Sequence, residues 1–474
     1  MGEYNRKTKI ICTIGPASED EKVIRELIVA GMDVARINMS HGCVSEHVDR
    51  IRLIQKIREQ LNKPVAILLD TRGPEVRISL AENGDYLVKE DQEFNFYMDD
   101  RFGNGEGVGI SYKKLNQFVK KGATILVDDG KISFRVEKVS KHKITTIALN
   151  TGMIGSRKSL NVPGVDLHMD FLEDLDKEGL NEYVKEGIEF VAASFARTLN
   201  DIKILRTYLD SIGGSEVEII AKIESAQGVD NAVDILKGCA GLMVARGDLG
   251  VELPYYKIPI IQKDLIHECY NAGKVVITAT QMLESMINNP RPTRAEISDV
   301  ANAIFDGSSA IMLSGETAMG KYPVETLKTM VKVTIATENS INYSKRFMKY
   351  HLDLGDSSRS VIASAAVAAA MQINAKAIIA TSRSGKTAEI ISAYHPYCPI
   401  IAPVVVHPKF YKLAMFWNII PLKASEVAST DEMFENSVKL ALEKGLIEIG
   451  DKIILTGGSQ TGDLATDMLK IRNL

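Results

Sequence analysis

Cysteine is scarce in this 474-residue sequence. There are five, Cys12, Cys43, Cys239, Cys269 and Cys398, odd in number, scattered, and without a CxxC pair. That argues against a disulfide framework or a cysteine-ligated zinc site, and fits reduced thiols in a cytoplasm. Excess positive charge is missing too: the net charge is −4, which speaks against a nucleic-acid partner but leaves room for a local basic pocket for small anions. No apolar run is long enough to cross a bilayer, and Ala363 to Met371 has only the length of a helix core. The opening residues Met1 to Lys7 hold no apolar signal core. Low-complexity tracts and short-period repeats are absent as well. What remains is an ordinary globular composition, 45% hydrophobic and 25% charged, with length for roughly three domains of about 150 residues.

Short apolar runs that end in charge alternate with helix-length segments along much of the chain. Strands are expected at Lys9–Gly15, Val34–Ser40, Val65–Asp70, Phe190–Phe195, Glu218–Glu224, Gly241–Asp248, Val275–Thr280 and Ala310–Glu316. Each but the third is followed directly by a helical pattern, and Ser225 to Ala240 reads as one helical connection. Eight such units are the tally of a closed (β/α)₈ barrel. From Gly73 to Asp166 helical spacing disappears and short strands alternate with turns, including Asp129-Gly130 between two alternating runs, a hairpin signal. The expected division is 1–72 and 167–345 for the barrel and 73–166 for an all-β lid inserted after strand three. A linker at Tyr350 to Ser358 leads to a C-terminal α/β domain over 356–474, with strands near Ala377–Ala380, Ile400–Val406, Ile419–Leu422 and Lys452–Leu455.

Parallel βα units bind ligands at the carboxyl ends of their strands. Neighbouring strands lie about 4.8 Å apart, so Glu224 and Asp248 would stand side by side on one rim, with Lys222 and Arg246 close by. Two adjacent carboxylates repel unless a cation lies between them. A divalent metal held by hard oxygens, with basic groups waiting for an anion, is one reading; a buried salt-bridge cluster is the other. The convergence of Thr13, Arg36, Asn38, Ser40, Asp70, Ser194, Thr280 and Glu316 on the same rim favours chemistry.

Eight motifs in this order resemble the pyruvate kinase family. They are Thr8-Lys-Ile-Ile-Cys-Thr-Ile-Gly-Pro-Ala-Ser18, Ala35-Arg-Ile-Asn-Met-Ser-His-Gly42, Asp70-Thr-Arg-Gly-Pro-Glu75, Ala221-Lys-Ile-Glu-Ser225, Ala245-Arg-Gly-Asp-Leu-Gly250, Thr278-Ala-Thr-Gln-Met-Leu-Glu-Ser285, Arg291-Pro-Thr-Arg-Ala-Glu296 and Met312-Leu-Ser-Gly-Glu-Thr317. The resemblance implies phosphoryl transfer from phosphoenolpyruvate to ADP, giving pyruvate and ATP. It implies Mg²⁺ or Mn²⁺ on Glu224 and Asp248, and K⁺ at Asn38, Ser40, Asp70 and Thr71, with Glu75 accompanying the K⁺ requirement. Lys222 would steady the moving phosphoryl group and Arg36 would meet the phosphate. Gly247, Asp248 and Thr280 would face the substrate carboxylate, Thr280 also being a candidate for the proton relay. Arg246 is expected to pair with carboxylates behind the metal. Thr13, Pro16, Asn38, His41, Arg77 and Lys158 match nucleotide positions, although Lys158-Ser-Leu-Asn161 departs from the family's Lys-Gly-Val-Asn. Thr381, Ser382, Arg383, Ser384, Gly385, Lys386 and Thr387 form a loop between a strand and a helix start, where backbone N–H groups, hydroxyls and cations cradle phosphate. In the family this loop takes a phosphorylated effector, with Gly457–Gly462 nearby; a polar turn capping a helix is the plainer reading. A homotetramer is implied as well. Three other readings stand beside this one: a Schiff-base lyase using Lys222, a catalytically silent metabolite sensor, and a scaffold.

Overall fold

A computed structural model describes residues 6–349, 352, 354, 357–405, 407–425, 429–458 and 466–474. Eight short strands close into a parallel barrel: Lys9–Thr13, Val34–Asn38, Ala66–Asp70, Phe190–Ala193, Glu218–Ile223, Gly241–Ala245, Val275–Ala279 and Ala310–Leu313. The last pairs with the first, Ile10 beside Ile311, which removes both sheet edges. Their near-continuous apolar character follows from burial on both faces, inward against the barrel interior and outward against helices. Helix ends are set locally. Asp20 accepts the N–H of Lys22 at the start of Glu21–Ala30, and Gly31, with φ 114°, ends it. Thr198 and Thr293 each open a helix with a capping box.

Three local expectations need correction. The sixth strand stops at Ala245, and the helix Arg246–Glu252 begins at once, so Asp248 stands in a first helical turn. Ser40 lies in the turn after strand two, its N–H donated to Asn38 Oδ1. The Ser225–Ala240 connection is two helices, Ala226–Asp230 and Ala232–Lys237, because Asn231 leaves helical geometry and donates its side-chain amide to Arg197 O.

After strand three the chain builds a six-stranded and a two-stranded sheet over its next ninety or so residues. Phe94, Phe96 and Phe134 pack edge to face at the centre of the larger sheet. The C-terminal sheet runs Ile419–Lys423, Ile400–Val404, Ala377–Ala380, Lys452–Gly457 and Met468–Asn473. Its final strand is antiparallel and was not anticipated. The expected linker at 350–358 falls largely outside the described residues.

The C-terminal unit sits against the amino-terminal ends of the barrel strands. Its Ala414, Met415 and Phe416 pack with Ile11, Val34, Ala66 and Phe190 at the barrel floor. Lys9 Nζ donates to Ile419 O at 2.8 Å, and the Arg58 guanidinium lies 3.4 Å over the Tyr411 ring. The opposite rim is left free for a ligand, with the lid hinged beside it.

Candidate active site

Fold and sequence place the two acids by different routes. Glu224 is the first residue past the fifth strand, while Asp248 projects from the helix that the sixth strand runs into. The two carboxyls lie close enough to shift one another's titration. Burial, with the charges of Asp248 and Asp70 against that of Lys222, pushes the Glu224 carboxyl up to about 7. Burial also raises Asp248. One Glu224 oxygen accepts the N–H of Phe195 at 2.6 Å and the other lies 3.0 Å from Lys222 Nζ. Two desolvated carboxylates in contact suit a hard divalent cation. Among the described residues no cluster of three or more His, Cys, Asp or Glu side chains is poised for a metal. Two protein ligands fit an ion that keeps positions for water or substrate.

Lys222 reaches three acceptors: Asp70 Oδ1 at 2.9 Å, Ser194 Oγ at 2.8 Å and Glu224 Oε1 at 3.0 Å. Burial alone would lower its pKa, but Asp70 and Glu224 outweigh it and hold the ammonium above its ordinary value. Such a lysine is a fixed positive charge, the opposite of the neutral amine that Schiff-base chemistry requires. Arg36 forks onto Asp70 Oδ2, Nε at 2.6 Å and Nη2 at 2.5 Å, and gives its remaining nitrogen to Thr13 Oγ1 at 2.9 Å. Burial would raise Asp70, yet Arg36 and Lys222 hold it low. Asp70 therefore aligns two cations over one rim.

Thr280 is strained, with φ 66° on a β-branched residue. Two bonds keep it so: the N–H of Gly247 donates to its Oγ1 at 2.9 Å, and Arg246 Nη2 donates to its carbonyl at 2.6 Å. Arg246 pairs with Asp299 at 2.7 Å and reaches Gln262 Oε1 and Met282 Sδ; among the described residues it makes no bond to Glu224 or Asp248. It shapes the Thr280 turn rather than backing the acid pair. Asp299 was invisible to the sequence reading, since nothing local distinguishes it from other helix-surface acids.

Asn38, Ser40, Asp70 and Thr71 gather between strands two and three, where Asn38 pairs with Asp70. Thr71 Oγ1 is engaged on both sides, donating to Ala192 O and accepting from the N–H of Ser194. Its carbonyl accepts from Ser194 Oγ at 2.7 Å. The oxygens fit a monovalent ion, with Thr71 offering its carbonyl rather than its hydroxyl.

Pro16 and His41 are exposed on the rim loops. Burial and the charges of Arg77, Arg36 and Arg72 lower the His41 pKa, which puts Arg77 within electrostatic reach of it. On the lid, Arg77 pairs with Glu75 at 2.7 Å, and Lys158 with Asp128 at 3.0 Å.

The Thr381–Thr387 loop lies far from this rim, at the end of strand Ala377–Ala380. Its helix is Lys386–Ala393, so Lys386 and Thr387 belong to the helix rather than the loop, with Gly385 at φ 79° as the cap. A Cβ at Gly385 would meet Leu413 at 2.8 Å. Thr381 donates to Thr456 O, Thr387 shares a hydrogen bond with Thr466, and Lys386 pairs with Glu389. Ser382 Oγ is buried and has no hydrogen-bond partner among the described residues. Gly457 and Gly458 are described, and the rest of the late glycine loop, 459–462, is outside the described residues.

Two family models match the chain, "Pyruvate kinase, barrel domain" over residues 5–327 and "Pyruvate kinase, alpha/beta domain" over 360–472. A pyruvate kinase of Clostridium acetobutylicum is 43% identical over 469 residues, covering 98% of this chain and 99% of that protein. One from Sporosarcina psychrophila is 43% identical over 469 residues, covering 98% of this chain and 80% of its own length. A crystal structure of a pyruvate kinase from Cryptosporidium parvum superposes with a TM-score of 0.93 at 36% identity, over 99% of this chain and 96% of that one.

Proposed function

The chain belongs to the pyruvate kinase family of glycolytic phosphotransferases, which carry the phosphoryl group of phosphoenolpyruvate to ADP, and from that premise we propose how its own residues divide the work. Positioning and positive charge are what this reaction asks of a protein. Lys222 lies against the phosphoryl oxygens in flight, and Arg36 holds the substrate phosphate. Asp70 aims both. The observation that carries the assignment is the Asp70 carboxylate shared between Arg36 and Lys222, which gives the rim two aligned, permanently charged donors. The backbone of Gly247 and Asp248, with the Thr280 hydroxyl, receives the substrate carboxylate. Thr280 would also return a proton to the enol carbon.

Members of the family generally need a divalent metal and K⁺. Here Glu224 and Asp248 would hold Mg²⁺ or Mn²⁺, while Asn38, Ser40, Asp70 and the Thr71 carbonyl would hold K⁺. Bound there, the cations would supply charge stabilisation for the transferring group. Thr13, Pro16, Asn38 and His41 would receive ADP from the barrel, and Arg77 and Lys158 would close on it from the lid.

The division 1–72 with 167–345, 73–166 and 356–474 is the working domain assignment. Residues 381–387 are proposed to take a phosphorylated effector, supported by the cap at Gly385 and by the Ser382 hydroxyl, which has no partner among the described residues. Rate titrations with AMP, a pentose phosphate and fructose bisphosphate test it; no response to any of them removes the proposal. A homotetramer in the cytoplasm is proposed too. Tyr255, Tyr256 and Ile260, 82%, 65% and 62% exposed, supply apolar surface for self-association, which light scattering would read as a mass above the monomer.

The central test is a coupled pyruvate assay with Mg²⁺ and K⁺ titrated separately. Lys222→Met should leave phosphoenolpyruvate binding within a few-fold and lower kcat on the order of 10³-fold or more. Turnover near that of the parent removes Lys222 from the mechanism.

A further inference from the structure

We propose that Asp176 is a positioning residue for the reaction: it clamps the hinge by which the chain enters the lid, and so sets where the lid's cations stand. The clamp consists of two hydrogen bonds. Asp176 Oδ1 accepts the N–H of Arg72 at 2.9 Å, and Oδ2 accepts the N–H of Gly73 at 3.0 Å. Asp176 is buried in the first turn of the helix Asp174–Lys185, more than a hundred residues along the chain from the amides it holds.

Gly73 is where the chain turns from the barrel. Its φ is 70°, and a Cβ there would meet the Ser194 side chain at 2.8 Å. Glycine alone lets the backbone pass so close to the end of strand four. Other ties hold the turn as far as Arg72. Met39 N–H donates to Asp70 O, Thr71 N–H to Ala192 O, and Arg72 Nε to Met39 O. Past Gly73 the support thins. A cavity of about 410 Å³ separates the two lid connections from the barrel, with Pro74, Glu75, Val162 and Gly164 among its walls. Dense packing therefore does not fix the direction in which the chain departs, and the two bonds to Asp176 do.

That direction matters four residues later. Arg77 bridges to Ser159, next to Lys158. A tilt at Gly73 swings both cations together. The inference rests on the reading that Arg77 and Lys158 meet the nucleotide.

The full-length enzyme with Asp176→Ala loses both acceptors; Asp176→Asn keeps one and nearly the same shape. The Ala variant should raise KM for ADP about fivefold or more, leave KM for phosphoenolpyruvate within about twofold, and the Asn variant should fall between it and the parent. Hydrogen exchange should quicken at residues 70–80 and 158–166 and stay unchanged in the other barrel strands. A merely structural Asp176 would lower the thermal midpoint without that localised exchange or the ADP-specific change, and this result overturns the proposal. Quickened exchange with an unchanged KM for ADP also overturns it, and places the fault in the nucleotide reading rather than in the clamp. Should the Ala variant not fold, the Asn variant carries the same comparisons.

Discussion

A single carboxylate, Asp70, shows how much at this rim depends on pairing. It is buried with Arg36 and Lys222 on its two oxygens, and removing it takes from Arg36 its carboxylate partner and leaves Lys222 paired with Glu224 alone. Glu75 has a different setting, half-buried at the start of the lid and paired with Arg77 at 2.7 Å. Burial raises its pKa, Arg77 works against that, and the charge of Glu224 adds to the rise, so Glu75 lies in the field of the acid pair. Glu75→Lys puts an ammonium where a carboxylate now stands and supplies charge that a monovalent ion otherwise brings. Activity without K⁺ should then rise about tenfold, the equivalent of roughly 1.4 kcal/mol. A rate assay in tetramethylammonium against K⁺ salts checks it, and an unaltered K⁺ requirement contradicts the role given to Glu75. Most rim residues were legible because they sit at or just past a strand end inside a motif. Ser194 was legible as a rim residue, but its bond to Lys222 was not. Asp176 and Asp299 left no trace: both are acids on amphipathic helices, where carboxylates are common for reasons of helix dipole and solvation.

Among the elements, the barrel strands were the most readable, because burial on both faces writes each as a near-continuous apolar run. The last strand, Met468–Asn473, is an edge strand with exposed and half-buried residues, so it carries no such run and was missed. The sixth strand was drawn too long because Arg246-Gly-Asp-Leu has the same polar ending whether it stays extended or coils. The segment Leu413–Phe416 was unreadable for another reason: its partners are the first residues of barrel strands hundreds of positions away, and such contacts have no local pattern. Met415 is fully buried among Ile11, Ala66, Phe190 and Met243. Met415→Ala should cost about 2–5 kcal/mol, as truncations of buried methionine do where the surroundings cannot collapse. Because the chain has several folding units, the loss is best read as a lowered midpoint of the barrel transition in calorimetry. A midpoint within one degree or so of the parent would mean that the floor refills without it.

At the scale of the whole molecule, the contact between barrel and C-terminal sheet holds a titratable group in an unusual place. His395 is buried, with φ 48°, stacked on Trp417 at 4.3 Å and edge-on to Tyr270 at 5.0 Å, and its Nδ1 has no partner among the described residues. Arg346, Lys274 and Glu389 are the charged groups around it. Burial, helped by Arg346, pushes its pKa well below the ordinary value. In the unfolded chain the imidazole takes up a proton near pH 6.5, while in the folded chain it stays neutral. Below that pH the unfolded state binds more protons, so stability declines as the solution is acidified, by up to about 1.4 kcal/mol per pH unit until the folded pKa is reached. Above about pH 7.5 both states are neutral and the contribution is fully present. His395→Phe keeps a ring against Trp417 and cannot titrate. Its stability between pH 5.5 and 7.5 should therefore fall less steeply than that of the parent, whatever its absolute value. Thermal midpoints measured across that window for the two proteins make the comparison, and parallel profiles would show that this interface does not sense acid through His395.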